Sequence, residues 1–286
     1  MRTNLFIFTL LIIGLVSCDL NSKLLGSKKG NKDFSTKKVV DGVQGDESYK
    51  QANVDDLAKV VNDIQGDEPA KEDKDVADKA ELISELKKDT ESLITVVKKD
   101  KAEVEDLNQY GMKDEVFKAV TDTVNNKTLD SVENKEARRL FYSSLGYDKG
   151  KIKEFAKILK KIESDATNKG TWIKDIIVAG REHLQSNFEK VIDKLEKSKD
   201  KLAKLSLVDL KEVKTKFDEI KSQREAFIKA VDSLIASYKA KTDGIDSDSE
   251  KLIKHVEKEY KDLITVKIPG VKSVYDKIVG VLDTIK

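Results

Sequence analysis

The side chains with a claim to chemistry are one cysteine, two histidines, one acidic run and one row of lysines. Cys18 is the only thiol of the chain and closes an apolar stretch, Leu5 to Val16, that begins just after Arg2. A thiol in that place can form a thioether to a diacylglycerol, the bond that ties a chain to lipid. His183 and His255 stand far apart, and neither sits at a metal-ligand spacing, so both read as solvated polar residues. The run Asp246-Ser-Asp248-Ser-Glu250, with Glu257 at the twelfth place, imitates a calcium loop, but Lys251 takes the sixth place, where that loop needs glycine. Its acids instead suit the start of a helix, where they complement the dipole. Lys149, Lys151, Lys153, Lys157, Lys160 and Lys161 could gather a heparin-like polyanion or plasminogen. They alternate with apolar positions, which makes them the outer face of a helix. No phosphate-cradling glycine loop and no nucleophile–base arrangement occurs, so the reading is of a protein that is not an enzyme and needs no metal or cofactor.

The apolar stretch before Cys18 falls short of the roughly 20 residues that span a bilayer. With its charged start and small-residue end it reads as a secretory signal over residues 1–17. Leu15-Val16-Ser17-Cys18 resembles the lipobox of bacterial lipoproteins. The resemblance implies cleavage behind Ser17 and acylation of Cys18 on its sulfur and its amino group. Two or more acyl chains hold a protein on a membrane stably, at about 0.8 kcal/mol per buried methylene. An ordinary secretory signal is the alternative, but no Ala-x-Ala site lies nearby.

The 286 residues carry 54 basic and 53 acidic side chains, and loss of Arg2 with the signal leaves the mature chain neutral. That balance excludes a general nucleic-acid binder. Charged residues make up 37% and hydrophobic ones 38%, with two prolines and one tryptophan, which is the composition of long helices. With Cys18 committed to lipid, no disulfide can form, and apolar burial must hold the fold.

Residues 18–52 are rich in Lys, Gly, Ser and Asp without a sustained period, and are expected to form a lipidated, flexible tether. Residues 53–286 are expected to form one elongated all-α bundle of about seven helices. A short helix is expected over Asn53–Ile64, with Val54, Leu57, Ala58 and Val61 on one stripe. Val76, Ile83, Thr90, Val97 and Val104 then recur at seven, joined by Leu86, Leu93 and Leu107. Asp100 interrupts this seam, which favours the inner face of a bundle helix over a coiled coil between chains. Val116, Phe117, Val120 and Val124 predict a short helix closed by Asn125-Asn126. Stripes follow around Phe141, Phe155, Trp172–Leu195, Leu210–Tyr238 and Leu252–Ile264. Ser206 and Asp209 form a capping box. Trp172 is expected in the core. Pro269-Gly270 is expected to break the chain before a last stripe, Val271 to Leu282, that folds back onto the bundle.

The stretch Ala137-Arg-Arg-Leu-Phe-Tyr-Ser-Ser-Leu-Gly-Tyr-Asp148 resembles the RR-x-FYSSL-x-YD motif of the outer-surface lipoprotein antigens of Lyme-disease spirochaetes, a group that includes the complement-regulator-acquiring protein CspA. The segments 176–191 and 201–211 fit the same family. The resemblance implies an α-helical bundle lipid-anchored at Cys18 on the bacterial outer membrane and displayed at the cell surface. It further implies binding of host proteins for immune evasion or adhesion, complement components among them. The alternative is a structural or colonisation antigen with no dedicated host ligand. Ligand-binding residues are not assigned by the sequence. In the motif itself, Leu140, Phe141 and Leu145 are expected to pack inward, Gly146 permits a turn, Asp148 caps the next helix, and Arg138 and Arg139 can reach acids on neighbours. A structural role for the motif follows. The resemblance implies that a CspA-like dimer would rest on a swapped C-terminal helix, and the short last stripe here predicts a monomer, with a dimer as the alternative.

Overall fold

The computed structural model describes residues 69–285, within a compact unit running from Gly66 to Lys286. Cys18, the signal, the tether and the Asn53–Ile64 stripe lie outside the described residues. Among these residues the fold is all-α, with a single isolated bridge between Thr121 and Thr128 as its only β pairing.

Helix α1 (Pro69–Ala102) lays its seam on its own chain. Leu86, Thr90 and Val97 are buried, Ile83 and Leu93 half-buried, and the helix packs against α5 (Asn187–Ser198) and α6 (Leu207–Lys239). The heptads end early. Val104 and Leu107 are 79% and 93% exposed, because the chain leaves the helix at Ala102 and turns to bring Glu105 toward α2 (Lys135–Ser144). Val76 is likewise exposed.

The helix expected around Phe117 does not form. Leu129 sends its N–H to the carbonyls of Phe117 (3.1 Å) and Val120 (2.9 Å), the acceptors that a continuing helix would need. Phe117 and Val120 are buried all the same, while Val124 is carried round a tight turn into solvent. The period was apolar, but the hydrogen bonds went elsewhere.

α2 ends in a Schellman arrangement: Tyr147 N–H reaches the carbonyl of Tyr142 (3.0 Å) and Gly146 N–H that of Ser143 (2.9 Å). Gly146 stands at φ +75°, a conformation it adopts without the Cβ penalty. Asp148 then caps α3 (Lys149–Glu163), its carboxylate accepting from Lys151 N–H at 3.0 Å.

Residues 172–198 form one helical run: α4 (Trp172–Val178), a wide π turn (Ala179–Ser186) and α5. Trp172 is only half-buried at the head of this run, contrary to the expectation of a core position. It is the first residue of the first turn, and the stripe is filled by Ile173, Ile176 and Ile177 instead. α6 opens on the expected Ser206–Asp209 capping box.

Pro269-Gly270 does not break the chain. Helix α7 (Ser249–Asp262) passes through a π turn (Leu263–Lys267) into α8 (Ile268–Leu282). A proline ring inside an α-helix clashes with the carbonyl one turn back and removes a donor. Widening the turn just upstream is a known way to accommodate it. The last stripe therefore reaches the bundle without folding back, and packs on α5, α6 and the first π turn with Val271, Val274, Ile278 and Leu282 buried.

Candidate binding face

α2 is the element through which the bundle is locked. Arg138 holds Glu105 bidentately (2.7 and 2.8 Å) and donates its remaining nitrogen to the carbonyls of Leu129 and Ser131. Tyr142 donates to the same Glu105 at 2.8 Å, and burial together with that carboxylate pushes the phenol well above its ordinary range. Arg139 binds Glu136 (2.6 and 2.9 Å) and Glu189 on α5 (2.7 and 2.8 Å). Burial opposes its charge, but the two carboxylates outweigh burial and raise its pKa. The two serines of the motif also have distinct duties. Ser143 offers its carbonyl to Arg224 of α6 (2.7 Å), whose Nε reaches Gln185 (3.0 Å). Ser144 donates to Phe141 O and faces Gly180, where a Cβ would lie 2.7 Å from Ser144 Oγ and 3.1 Å from the Phe227 ring. Asp100, the residue that interrupted the α1 seam, is buried beside this cluster. Burial pushes its pKa up, against the pull of Ser143, Arg224 and Arg139. The motif thus spends its polar groups on internal partners, as a packing role requires.

Beside it lies an open groove of about 580 Å³ between the turn at 121–128, α2, the first π turn and α8. Its turn is fixed by its own side chains. Asp122 accepts from Val124 N–H (2.7 Å), Asn125 donates to Asn134 (2.6 Å), and Asn134 donates to the carbonyls of Lys127 (3.1 Å) and Thr128 (2.9 Å). Asp122 also forms a buried ion pair with Arg181 of the π turn, which holds Glu182 as well. Burial raises the Asp122 pKa, but the Val124 N–H and the Arg181 charge outweigh it, leaving the carboxyl below its usual range. The result is a rigid turn with Val124 93% exposed, on a groove lined also by Ala137 and by Leu140, which is only half-buried there where Phe141 and Leu145 take the expected inward positions.

The residues that the sequence singled out are scattered. His183 lines the groove, its pKa pushed down by burial, whereas His255 sits on α7 against Tyr260. Among the described residues no three His, Cys, Asp or Glu side chains gather as a metal site. Within the acidic run, Asp248 caps α7 by accepting from Lys251 N–H (3.1 Å). The lysine row of α3 is engaged: Lys149 with Glu103 (2.8 Å), Lys151 with Asp232 (2.8 Å), Lys153 with Asp106 (4.0 Å), Lys157 with Glu154 (2.6 Å), Lys160 with Glu115 (3.1 Å), and Lys161 with the Ser247 carbonyl (2.8 Å). Five of these contacts are surface ion pairs of small energy, but together they give this face balanced charge. The Asp122–Arg181 pair was not foreseen. Arg181 stands four after Ile177 and three before Leu184, so a cation in the phase of the apolar stripe was the available signal.

A family model described as "Borrelia Bbcrasp-1 domain containing protein" matches residues 98–283. The chain belongs to that family. Solved structures of family-like proteins agree. The chain is 25% identical to the Lyme disease associated outer surface protein BBA65 from Borrelia burgdorferi, with TM-score 0.65, covering 70% of this chain and 99% of that one. It is 26% identical to the Borrelia burgdorferi outer surface lipoprotein BBA64, with TM-score 0.64, covering 72% and 96%. The Borrelia spielmanii orthologue of the latter gives 25% identity and TM-score 0.65, over 73% and 96%. No curated protein matches the chain. The family is one of outer surface proteins, and this chain is an outer-membrane, surface-exposed member of it.

Proposed function

We propose that this protein is anchored by acyl chains on Cys18, is held off the membrane by residues 18–52, and binds a host protein of serum or extracellular matrix with the bundle of residues 53–286. Complement components are among the partners to be tried. The observation that carries the reading is the pre-organised Val124 turn beside an open groove, on a member of an outer surface family. An apolar side chain held in solvent by a hydrogen-bonded turn gives nothing to folding, whereas a rigid contact surface lowers the entropy cost of binding a partner. The bundle acts by recognition, and the motif at 137–148 acts as its frame.

Immobilised mature chain, offered purified complement regulators, plasminogen and matrix proteins, tests this directly. Saturable binding of at least one, at micromolar affinity or better, is expected. Failure of all of them, with a correctly folded chain, overturns the reading in favour of an antigen without a dedicated host ligand.

A further inference from the structure

A second opening, of about 400 Å³, lies next to the groove and shares Glu133 and Glu136 with it. It runs between residues 103–105 and residues 133–136, with Tyr142 and Tyr147 in its lining. Arg138 fastens the two sides to each other, since it binds Glu105 and donates to the carbonyls of Leu129 and Ser131. Gln109 Nε2 adds a bond to the Asp130 carbonyl at 2.8 Å. Three large aliphatic side chains stand in solvent on these two sides: Val104 and Leu107 on one, and Val132, 82% exposed, on the other. The turn that carries Leu107 is set by Asp106, which accepts from Asn108 N–H (2.9 Å) and Gln109 N–H (2.8 Å). The charge around the cleft cancels. Glu103 with Lys149, Glu105 with Arg138, Asp106 with Lys153 and Glu133 with Lys127 pair one to one. Arg139 and Lys101 together meet Glu136 and Glu189. Lys135 and Asp130 form no ion pair among the described residues, and they are opposite in sign.

We propose that this cleft, rimmed by Val104, Leu107 and Val132, docks an uncharged aliphatic segment of a foreign partner protein. The proposal rests on the host-binding reading above and names a site and a ligand chemistry for it. Aliphatic surface that leaves water on both partners gains about 25 cal/mol per Å². A charged segment would instead bury its charge against a rim with no counter-ion to spare, which costs free energy. Area decides against a second copy of the chain. Three side chains fall in the range of about 300–600 Å² that marks interaction patches on monomers. Each member of a stable pair buries about 800 Å², and nothing on this rim supplies the difference. The bonds from Arg138, Gln109 and Asp106 hold the rim in place beforehand, so little ordering accompanies binding.

The probes are the purified complement regulators, plasminogen and matrix proteins, titrated against the full mature chain and its variants. A protein that binds wild type is expected to lose about tenfold or more in affinity to Leu107→Asp and to Val132→Asp, the scale of a contact near the centre of an interface. Leu107→Ser should weaken it in the same direction without adding a charge. Val208→Asp, 74% exposed at the head of α6, should bind as wild type does. These side chains are all exposed, so urea unfolding should find each variant close to wild type in stability. Raising NaCl from about 0.1 M to about 0.5 M should change the wild-type affinity by less than about twofold, because there is no net charge to screen. An affinity that falls about tenfold over that range overturns the uncharged occupant. Binding kept by both Leu107→Asp and Val132→Asp removes the cleft and leaves the host-binding reading standing. No binding by wild type removes the reading itself, and the cleft with it. Sedimentation of the same samples addresses a second copy as occupant: a wild-type dimer abolished by Leu107→Asp would refute a foreign partner.

Discussion

Gly180→Ala is the substitution whose effect the packing specifies most closely. By local preference alone, alanine in a helix interior is better than glycine by about 0.5–1 kcal/mol. Here the added methyl would sit 2.7 Å from Ser144 Oγ and 3.1 Å from two carbons of the Phe227 ring. The hydroxyl can rotate away only by giving up its 2.7 Å bond to Phe141 O, a loss of about 1 kcal/mol. The ring is fully enclosed and must shift, and overpacking of this kind costs about 1–3 kcal/mol. The net expectation is destabilisation by about 1 kcal/mol or more, which lowers the melting midpoint by roughly 2–4 °C per kcal/mol in a domain of this size. Urea unfolding of wild type, Gly180→Ala, Ser144→Ala and the double variant measures it. Removing the hydroxyl should make the alanine cheaper, giving a coupling of about 0.5 kcal/mol or more. A Gly180→Ala protein as stable as wild type, or an identical cost with and without Ser144, would refute the close approach of the π turn to α2.

Arg139→Met leaves Glu189 mostly buried beside the lost cation, and should cost about 3 kcal/mol in urea unfolding; adding Glu189→Gln should recover part of that loss. Asp100 supplies a pH signature. Burial raises its folded pKa above the ordinary value of 3.8, so the stabilising preference for its protonated form is present below that value and lost as pH rises through the folded one. Asp100→Asn should therefore match wild type at about pH 3 and exceed it near neutrality; a variant less stable at neutral pH would contradict this sign. For the anchor, metabolic labelling with palmitate should mark the wild type and leave Cys18→Ala unlabelled. The bundle should sediment as a monomer at micromolar concentration, because Val274, Ile278 and Leu282 of α8 are buried within their own chain; a dimer mass that persists on dilution would count against it.

What was legible in the sequence were the features set by nearest neighbours along the chain. Ser206 with Asp209, Asp148 before α3 and Gly146 after α2 each act within a turn of their own position, so local chemistry is enough to read them. The apolar stripes on α3, α5 and α6 were equally plain, since helical phase decides what faces inward. Composition fixed the all-α class, and the motif at 137–148 pointed to the family. The tertiary structure alone decided the rest. It ended the α1 seam at Ala102, because the chain turns there to bring Glu105 onto Arg138 and leaves Val104 and Leu107 in solvent. It denied a helix to the segment around Phe117, because Leu129 took the needed carbonyls from twelve and nine residues away in sequence. It let α7 run past Pro269 through a π turn, which local propensity forbids and packing on α6 rewards. The groove belongs to this second class. Asp122 and Arg181 are far apart in the chain, and only the fold brings them together as a buried ion pair beside the groove. Which charges are spent and which are left over is a property of contacts between distant residues, and helical periodicity carries no record of it.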